Sequence, residues 1–309
     1  MRILIYGAGV LGCNLANDLF RSGRDVTLLA RGAWGETIRK NGLRIRRQFL
    51  PGETVSRIPV ISELKAADRY DVIFVAVRYT QLDSLLETLR QNVSPIVVFV
   101  GNNVRAAHYA AQLPEKAVLF AFASAAGRRE NGRVVSLDLR RITIGPAQGC
   151  PDGRALADSI FAGTKYRVTY EPCMEDHLLC HAAFILPGVF ACYHAQGDLR
   201  RIRKDEPYLR SLLTANREGY RAIRRAGHLI RPAADERFES EAYGKNMMRF
   251  FHLLCGTGLG RLCVSDHAMN AAEEMSALNR DLKAFFDRAG AEYPIWRALE
   301  LSAGGLLLP

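Results

Sequence analysis

Apolar and polar positions follow two different rhythms along the chain. In the first half, runs of four to eight mostly branched or aromatic residues recur between polar, glycine-bearing stretches. These are Ile3-Leu4-Ile5-Tyr6, Asp25 to Ala30, Tyr70 to Val77, Ile96 to Val100 and Ala117 to Phe122. Continuous apolar runs of this length, separated by helix-length segments, predict buried parallel strands of an α/β sheet. Gly42 to Pro59 alternates and predicts an extra pair of strands. Val134-Val135 and Arg141 to Ile144 predict further strands, Pro151-Asp152-Gly153 a turn before a helix, and Val168 to Tyr170 a last edge strand. From Glu171 the rhythm becomes helical. Met174, Leu178, Leu179, Ile185, Leu186, Val189 and Phe190 mark one long helix, with Pro187 inside it predicting a kink. Helices are predicted over Tyr208–Ala226, Ala234–Cys255 and Ala268–Ala289, the last with a core stripe of Met275, Leu278, Leu282 and Phe285. Pro294 opens a short terminal helix. The expected organisation is an α/β domain over 1–170 and an all-helical domain over 171–309.

The first strand runs directly into Gly7-Ala8-Gly9-Val10-Leu11-Gly12, and Cys13 to Arg21 continues as a helix. Gly-x-Gly-x-x-Gly between a strand and a helix, with a second strand following, is the context in which this motif binds a dinucleotide, and it makes 1–170 an expected Rossmann-type dinucleotide-binding domain. The first glycine makes the turn, the second lets a pyrophosphate approach the backbone, and the third lets the helix pack on the strand. The phosphates would meet free N–H groups at the helix N-terminus. The second strand ends in Ala30-Arg31 rather than in the Asp or Glu that holds an unmodified ribose. A guanidinium pairs with a 2′-phosphate that a carboxylate would repel, so Arg31 favours NADP(H). Arg78 places a second cation at the end of the Tyr70–Val77 strand, followed by Gln81, and Gly101-Asn102-Asn103 follows the next.

Composition narrows the classes. Hydrophobic residues make up 49% and charged residues 24% of the 309, which suits an ordinary globular protein with room for two cores. No apolar run is read as approaching the ~20 residues of a membrane span. The apolar stretch after Arg2 breaks at Gly7, so it is not expected to act as a secretion signal. The seven cysteines are scattered without a C-x-x-C pair, which fits free thiols and a cytoplasmic setting. Net charge is +10, but the densest basic run, Arg200-Arg201-Ile202-Arg203-Lys204, lacks interleaved aromatics and meets Asp205-Glu206 at once. It reads as a solvated loop or helix end, with neither nucleic acid nor membrane expected as a partner. Cys173, His177, Cys180 and His181 offer residue types that zinc takes as ligands. His177 and His181 share a helix face, but Cys180 lies about 100° from His181, and no metal is expected.

The glycine loop, Arg31, Arg78 with Gln81, Asn102 and the helical second half together resemble the ketopantoate reductase family, whose members reduce a branched 2-oxo acid with NADPH in pantothenate biosynthesis. The resemblance implies a second domain like the C-terminal domain of 6-phosphogluconate dehydrogenase. It implies that Gly7, Ala8, Gly9, Val10, Leu11 and Gly12 hold the pyrophosphate. By the same likeness Arg31 and Arg78 hold the 2′-phosphate, the latter replacing a lysine common in the family. Gln81 and Asn102 would lie along the cofactor, with Asn102 reaching the substrate. Glu274 matches the family's active-site glutamate, Asn279 follows at the usual place, and Gln196 matches a substrate amide. A homodimer is a candidate assembly.

The chain departs from the family on the substrate side. Leu178 stands where the catalytic lysine belongs, Ala182 and Leu186 replace two asparagines, and Leu262 replaces a carboxylate-binding serine. A site built around substrate hydrogen bonds changes what it accepts when those groups are lost. Hydride delivery to a ketone also needs an acid. His181, one turn beyond Leu178, is the nominated donor, with His177 the second choice. The expected function is NADPH-dependent reduction of a 2-oxo acid to a 2-hydroxy acid. The alternatives are a non-catalytic NADP(H)-binding sensor or regulatory protein, and a reductase of a larger apolar or imine substrate.

Overall fold

The computed structural model describes residues 1–148, 153–257 and 266–304. The predicted turn at Pro151-Asp152 and the predicted substrate-site position Leu262 lie outside the described residues. The chain divides into two compact units: Met1–Gly101 with Arg105–Glu175, and Asn102–Val104 with Asp176–Pro309.

The first unit is built on a ten-stranded sheet. Its strands are β1 (Arg2–Tyr6), β2 (Asp25–Leu29), β3 (Leu43–Arg47), β4 (Thr54–Ser56), β5 (Val60–Ile61), β6 (Val72–Val75), β7 (Ile96–Val100), β8 (Ala117–Glu130), β9 (Arg133–Gly145) and β10 (Arg167–Tyr170). The order is β4-β3-β9-β8-β7-β6-β1-β2-β5, with β10 alongside β9. From β5 to β8 every pairing is parallel. The strands of this stretch are apolar because helices cover both faces of a parallel sheet. Helices α1 (Val10–Arg21), α2 (Gly32–Asn41), α3 (Leu86–Gln91), α4 (Ala106–Ala111) and α5 (Gly153–Phe161) complete the unit. β1 lies between β2 and β6, with Tyr6 opposite both Leu29 and Val75. The three strands therefore end level, and the chain leaves them at Gly7, Ala30 and Ala76.

The hairpin of β8 and β9 is longer than the sequence reading expected. Asn131 and Gly132 both take left-handed backbone angles, φ 48° and 71°, as a tight two-residue hairpin turn requires. The strand predicted to end at Phe122 runs on to Glu130, and Val134 through Ile144 is one strand rather than two. Along the outer half of this ribbon no position of β8 from Ser124 to Glu130 is fully buried, and that weakens the apolar signal on which the prediction relied.

In the second unit α6 (Met174–His194) runs through Pro187 as one helix, followed by α7 (Glu206–Arg225) and α8 (Glu241–Gly256). Helices Asp266–Asn270, Ala272–Arg288 and Pro294–Ser302 follow. The predicted helix Ala234–Cys255 is divided, because Ser240 accepts a hydrogen bond from Tyr243 N–H at 3.2 Å and starts a new helix. By length and composition α6 could cross a membrane, yet 67% of its most apolar window is buried in the protein. The expectation that no run approached that length missed it because His177 and His181 interrupt the pattern. The core of this unit centres on Trp296, whose ring meets Phe190 and Phe286 edge-on at centroid distances of 5.5 and 5.4 Å. Buried Glu218 accepts hydrogen bonds from the Ile295 and Trp296 N–H groups at 3.1 and 2.8 Å, satisfying donors that the start of the terminal helix leaves open.

Candidate functional site

The level ends of β1, β2 and β6 form a topological switch point, where open α/β sheets place their ligands. Gly7 carries φ 116°, and a side chain there would collide with the Ala76 carbonyl oxygen. A side chain on Gly12 would collide with the Gly7 carbonyl oxygen, so α1 approaches the turn as closely as backbone allows. Around Gly9 the space is open: a Cβ would find its nearest neighbour, Ala76 O, 4.0 Å away. Gly9 is also the N-cap of α1, and no side chain caps the helix there. The first-turn N–H groups are thus offered outward at the positive end of the helix dipole. A tight turn, an open second glycine and an uncapped helix together fit a pyrophosphate.

Arg31 leaves β2 as the N-cap of α2 and is exposed. Among the described residues no hydrogen bond or ion pair engages its guanidinium. Arg78 leaves β6 as the N-cap of a 3₁₀ turn, Tyr79–Gln81, and is also exposed. β2 and β6 flank β1, so these two arginines stand about two strand spacings apart, ~10 Å. Two long side chains can converge on one phosphate across that gap. Gln81 has a local duty as well: its Oε1 accepts the Arg78 N–H at 3.2 Å.

Sequence reasoning missed two residues at this rim. Trp34, in the first turn of α2, donates its indole N–H to the Ala8 carbonyl at 2.9 Å. Arg129, near the end of β8, sets its guanidinium carbon 5.6 Å from the centroid of the Trp34 ring. A lone tryptophan three residues after Arg31 was a legible signal. Arg129 carried none, because the ribbon that delivers it was read as ending early. Behind them burial pushes the Cys13 thiol up to about 12, against the opposing pull of Arg129, so Cys13 is a neutral packing group.

In the second unit Glu274 is buried in the first turn of Ala272–Arg288, where the helix dipole favours a carboxylate. Asn279 is committed to packing: Nδ2 donates to Glu300 at 2.7 Å and Oδ1 accepts from the Trp296 indole at 2.9 Å. Gln196 is exposed just past α6 with φ 53°, and its Oε1 accepts from Arg201 at 2.9 Å. Asn102 holds Oδ1 buried without a hydrogen-bond partner among the described residues. A buried carbonyl oxygen in that state is a place for a ligand donor. His177 and His181 lie one turn apart on α6, both partly buried, and burial lowers the His177 pKa, keeping it neutral near pH 7. Leu178, Ala182 and Leu186 are buried on the same helix. Cys180 is occupied locally: its Sγ accepts the Arg231 N–H at 3.3 Å, and burial pushes the thiol up to about 12.

The family model described as ketopantoate reductase PanE/ApbA matches residues 3–149. No curated protein sequence matches the chain. Among solved structures, 2-dehydropantoate 2-reductase from Geobacter metallireducens GS-15 is 19% identical, with 99% of each chain covered and a TM-score of 0.79. D-mandelate dehydrogenase, in a ternary structure with NADH and anilino(oxo)acetate, is 16% identical, with 99% of this chain and 98% of that one covered and a TM-score of 0.77. A dimeric ketopantoate reductase from Staphylococcus aureus is 14% identical, with 99% and 100% covered and a TM-score of 0.74. Residues 3–149 thus match the model of the ketopantoate reductase PanE/ApbA family, and over nearly its whole length the chain is similar in fold to solved proteins that bear that name.

Proposed function

We propose that the protein is an NADPH-dependent reductase of 2-oxo acids, and that its substrate carries a less polar side chain than ketopantoate. The observation that carries this reading is the built nucleotide cradle: a collision-tight turn at Gly7 and Gly12, open space at Gly9, and Arg31 exposed at the end of β2. A nicotinamide coenzyme bound there would supply the hydride. Arg31 and Arg78 hold its 2′-phosphate and so select NADPH over NADH. The Asn102 carboxamide offers its buried oxygen to a donor on the nicotinamide or the substrate. Glu274 orients the nascent hydroxyl, and His181 gives the proton that turns the developing alkoxide into a 2-hydroxy acid. Gln196 is retained as a substrate amide, and Asn279 serves indirectly, by holding the helix that carries Glu274. Leu178, Ala182 and Leu186 favour an apolar side chain on the substrate. The anilino(oxo)acetate bound by the mandelate dehydrogenase neighbour is compatible with that choice, and the S. aureus neighbour with a homodimeric assembly.

The test is NADPH oxidation across a panel of 2-oxo acids, ketopantoate and phenylglyoxylate included. Apolar substrates are expected to turn over faster than ketopantoate. Glu274→Gln is expected to lower kcat by at least about tenfold, the low end for a group in acid–base or orienting contact with the reacting centre. The buried leucine at position 178 favours a second reading, a sensor that binds NADPH without turnover. Tight nucleotide binding with no oxidation of any panel member would select it.

A further inference from the structure

Trp34 stands between three elements that meet at the nucleotide loop. Its indole N–H reaches back from α2 to the Ala8 carbonyl at 2.9 Å, while Arg129 comes from the β8 ribbon to cover its ring at 5.6 Å. The peptide joining Ala8 to Gly9 is planar and trans, so its C=O and N–H point in opposite directions. Holding the Ala8 oxygen on the α2 side therefore fixes the direction of the Gly9 N–H. That N–H belongs to the open glycine of the turn: a Cβ built there finds only Ala76 O, at 4.0 Å. The turn needs such a restraint, because a glycine loses more backbone freedom on ordering than any other residue.

We propose that Trp34 is a positioning residue that sets the Ala8–Gly9 peptide for pyrophosphate binding, and that Arg129, held over its ring, adds a third guanidinium to the rim formed by Arg31 and Arg78. The assignment rests on the proposed reading of this turn as a nucleotide loop, and it adds a division of labour within the first turn of α2. Arg31 reads the 2′-phosphate, which only NADPH has. Trp34 acts on the pyrophosphate, which NADPH and NADH share.

Calorimetric titration with NADPH and NADH separates the two duties. Trp34→Phe keeps a ring under Arg129 and removes the donor. It is expected to raise Kd for both nucleotides by the same factor, about 2- to 10-fold for one hydrogen bond, with the unliganded thermal midpoint lowered by no more than about 5 °C. Replacing Trp34 with benzothienylalanine, which has sulfur in place of the N–H and the same shape, should give the same loss without disturbing packing. Arg129→Ala should weaken both nucleotides more at low salt than at high salt. Unchanged affinity in both position-34 variants, while the wild type binds, overturns the role of Trp34 alone. A loss confined to NADPH also overturns it, by moving Trp34 to the 2′-phosphate. An affinity loss in Arg129→Ala that is the same at low and high salt, or no loss at all, removes Arg129 from the rim. Failure of the wild type to bind either nucleotide brings down the nucleotide-loop reading together with this one.

Discussion

Arg31 and His177 show how a single side chain's surroundings decide what its removal does. The Arg31 side chain is exposed and makes no hydrogen bond or ion pair among the described residues, so truncating it leaves no unpaired partner and little change in folding. Its proposed phosphate contact is another matter, because charge-assisted hydrogen bonds contribute about 1.5–3 kcal/mol each. Arg31→Ala is accordingly expected to raise the Kd for NADPH by roughly 10- to 100-fold and to leave that for NADH within about twofold. Calorimetric titration with both nucleotides checks this, and equal losses would remove Arg31 from the 2′-phosphate. His177 presents the opposite case. Burial lowers its pKa, so the folded protein refuses a proton that the unfolded chain accepts below its ordinary value near 6.5. Above that pH His177 contributes nothing to the pH slope. Below it the unfolded state binds more protons, and stability falls with pH until the folded-state value is reached. His177→Gln is expected to flatten the decline in urea midpoint between about pH 7.5 and about pH 5.5. A wild-type midpoint that rose on acidification across this window would contradict the sign.

At the scale of elements, the additional strands fasten the polar side of α1 to the sheet. Asp18 accepts two hydrogen bonds from Arg47 of β3 at 2.7 Å and one from Arg140 of β9 at 3.0 Å, and Arg47 also reaches Asp138 at 3.1 Å. Ser136 of β9 donates to Asn14 at 2.9 Å, and Ser56 of β4 donates to Asn17 at the same distance. The two arginines do not weigh equally. Arg47 is 12% exposed and Arg140 36%, so water screens the second pair far more. Asp18→Ala removes the carboxylate that accepts two hydrogen bonds from the half-buried Arg47 guanidinium but leaves Arg47 its Asp138 partner, and is expected to cost about 1–3 kcal/mol, whereas Arg140→Ala should cost under about 1 kcal/mol. Urea unfolding of the two variants decides the matter; similar losses would mean that the outer pair carries as much as the inner one. None of this clamp was legible in the sequence, because Asp18 and Arg47 are 29 positions apart with no shared period. The parallel strands and the glycine turn were legible for a physical reason: a strand buried on both faces must be continuously apolar, and a turn without room for a Cβ must use glycine. The β8–β9 ribbon was not, because its outer half is polar on one side and its clearest marker was the Asn131-Gly132 turn. In the candidate site the same rule divides the residues. Gly7, Gly12 and Arg31 stand at strand ends fixed by apolar runs. Trp34 and Arg129 are brought to the rim by a helix turn and a ribbon tip whose reach no local pattern encodes.

Across the whole molecule, charge is the property that bears on the proposed ligand. The chain carries 42 Lys and Arg against 32 Asp and Glu, for a net charge of +10. Many of those cations are neutralised locally, as at Arg221 with Glu239 or Arg44 with Glu53. Arg31 is not among them, and it stands at the same sheet edge as the uncapped start of α1. A field of this kind raises the encounter rate of a polyanion, and its reach is set by the ionic atmosphere. Between about 0.01 and about 0.1 M salt the screening length shrinks from about 30 to about 10 Å, from well beyond the rim to roughly the separation of β2 and β6. The association rate of NADPH, followed by stopped-flow fluorescence, is therefore expected to fall steeply across that range. NADH, which lacks the 2′-phosphate, should fall less. In Arg31→Ala the two slopes should converge, because the charge that distinguishes the nucleotides has been removed from the rim. Slopes that were identical in the wild type would mean that the field acts on the pyrophosphate alone, and nucleotide selection would then have to arise after encounter, in the dissociation rate.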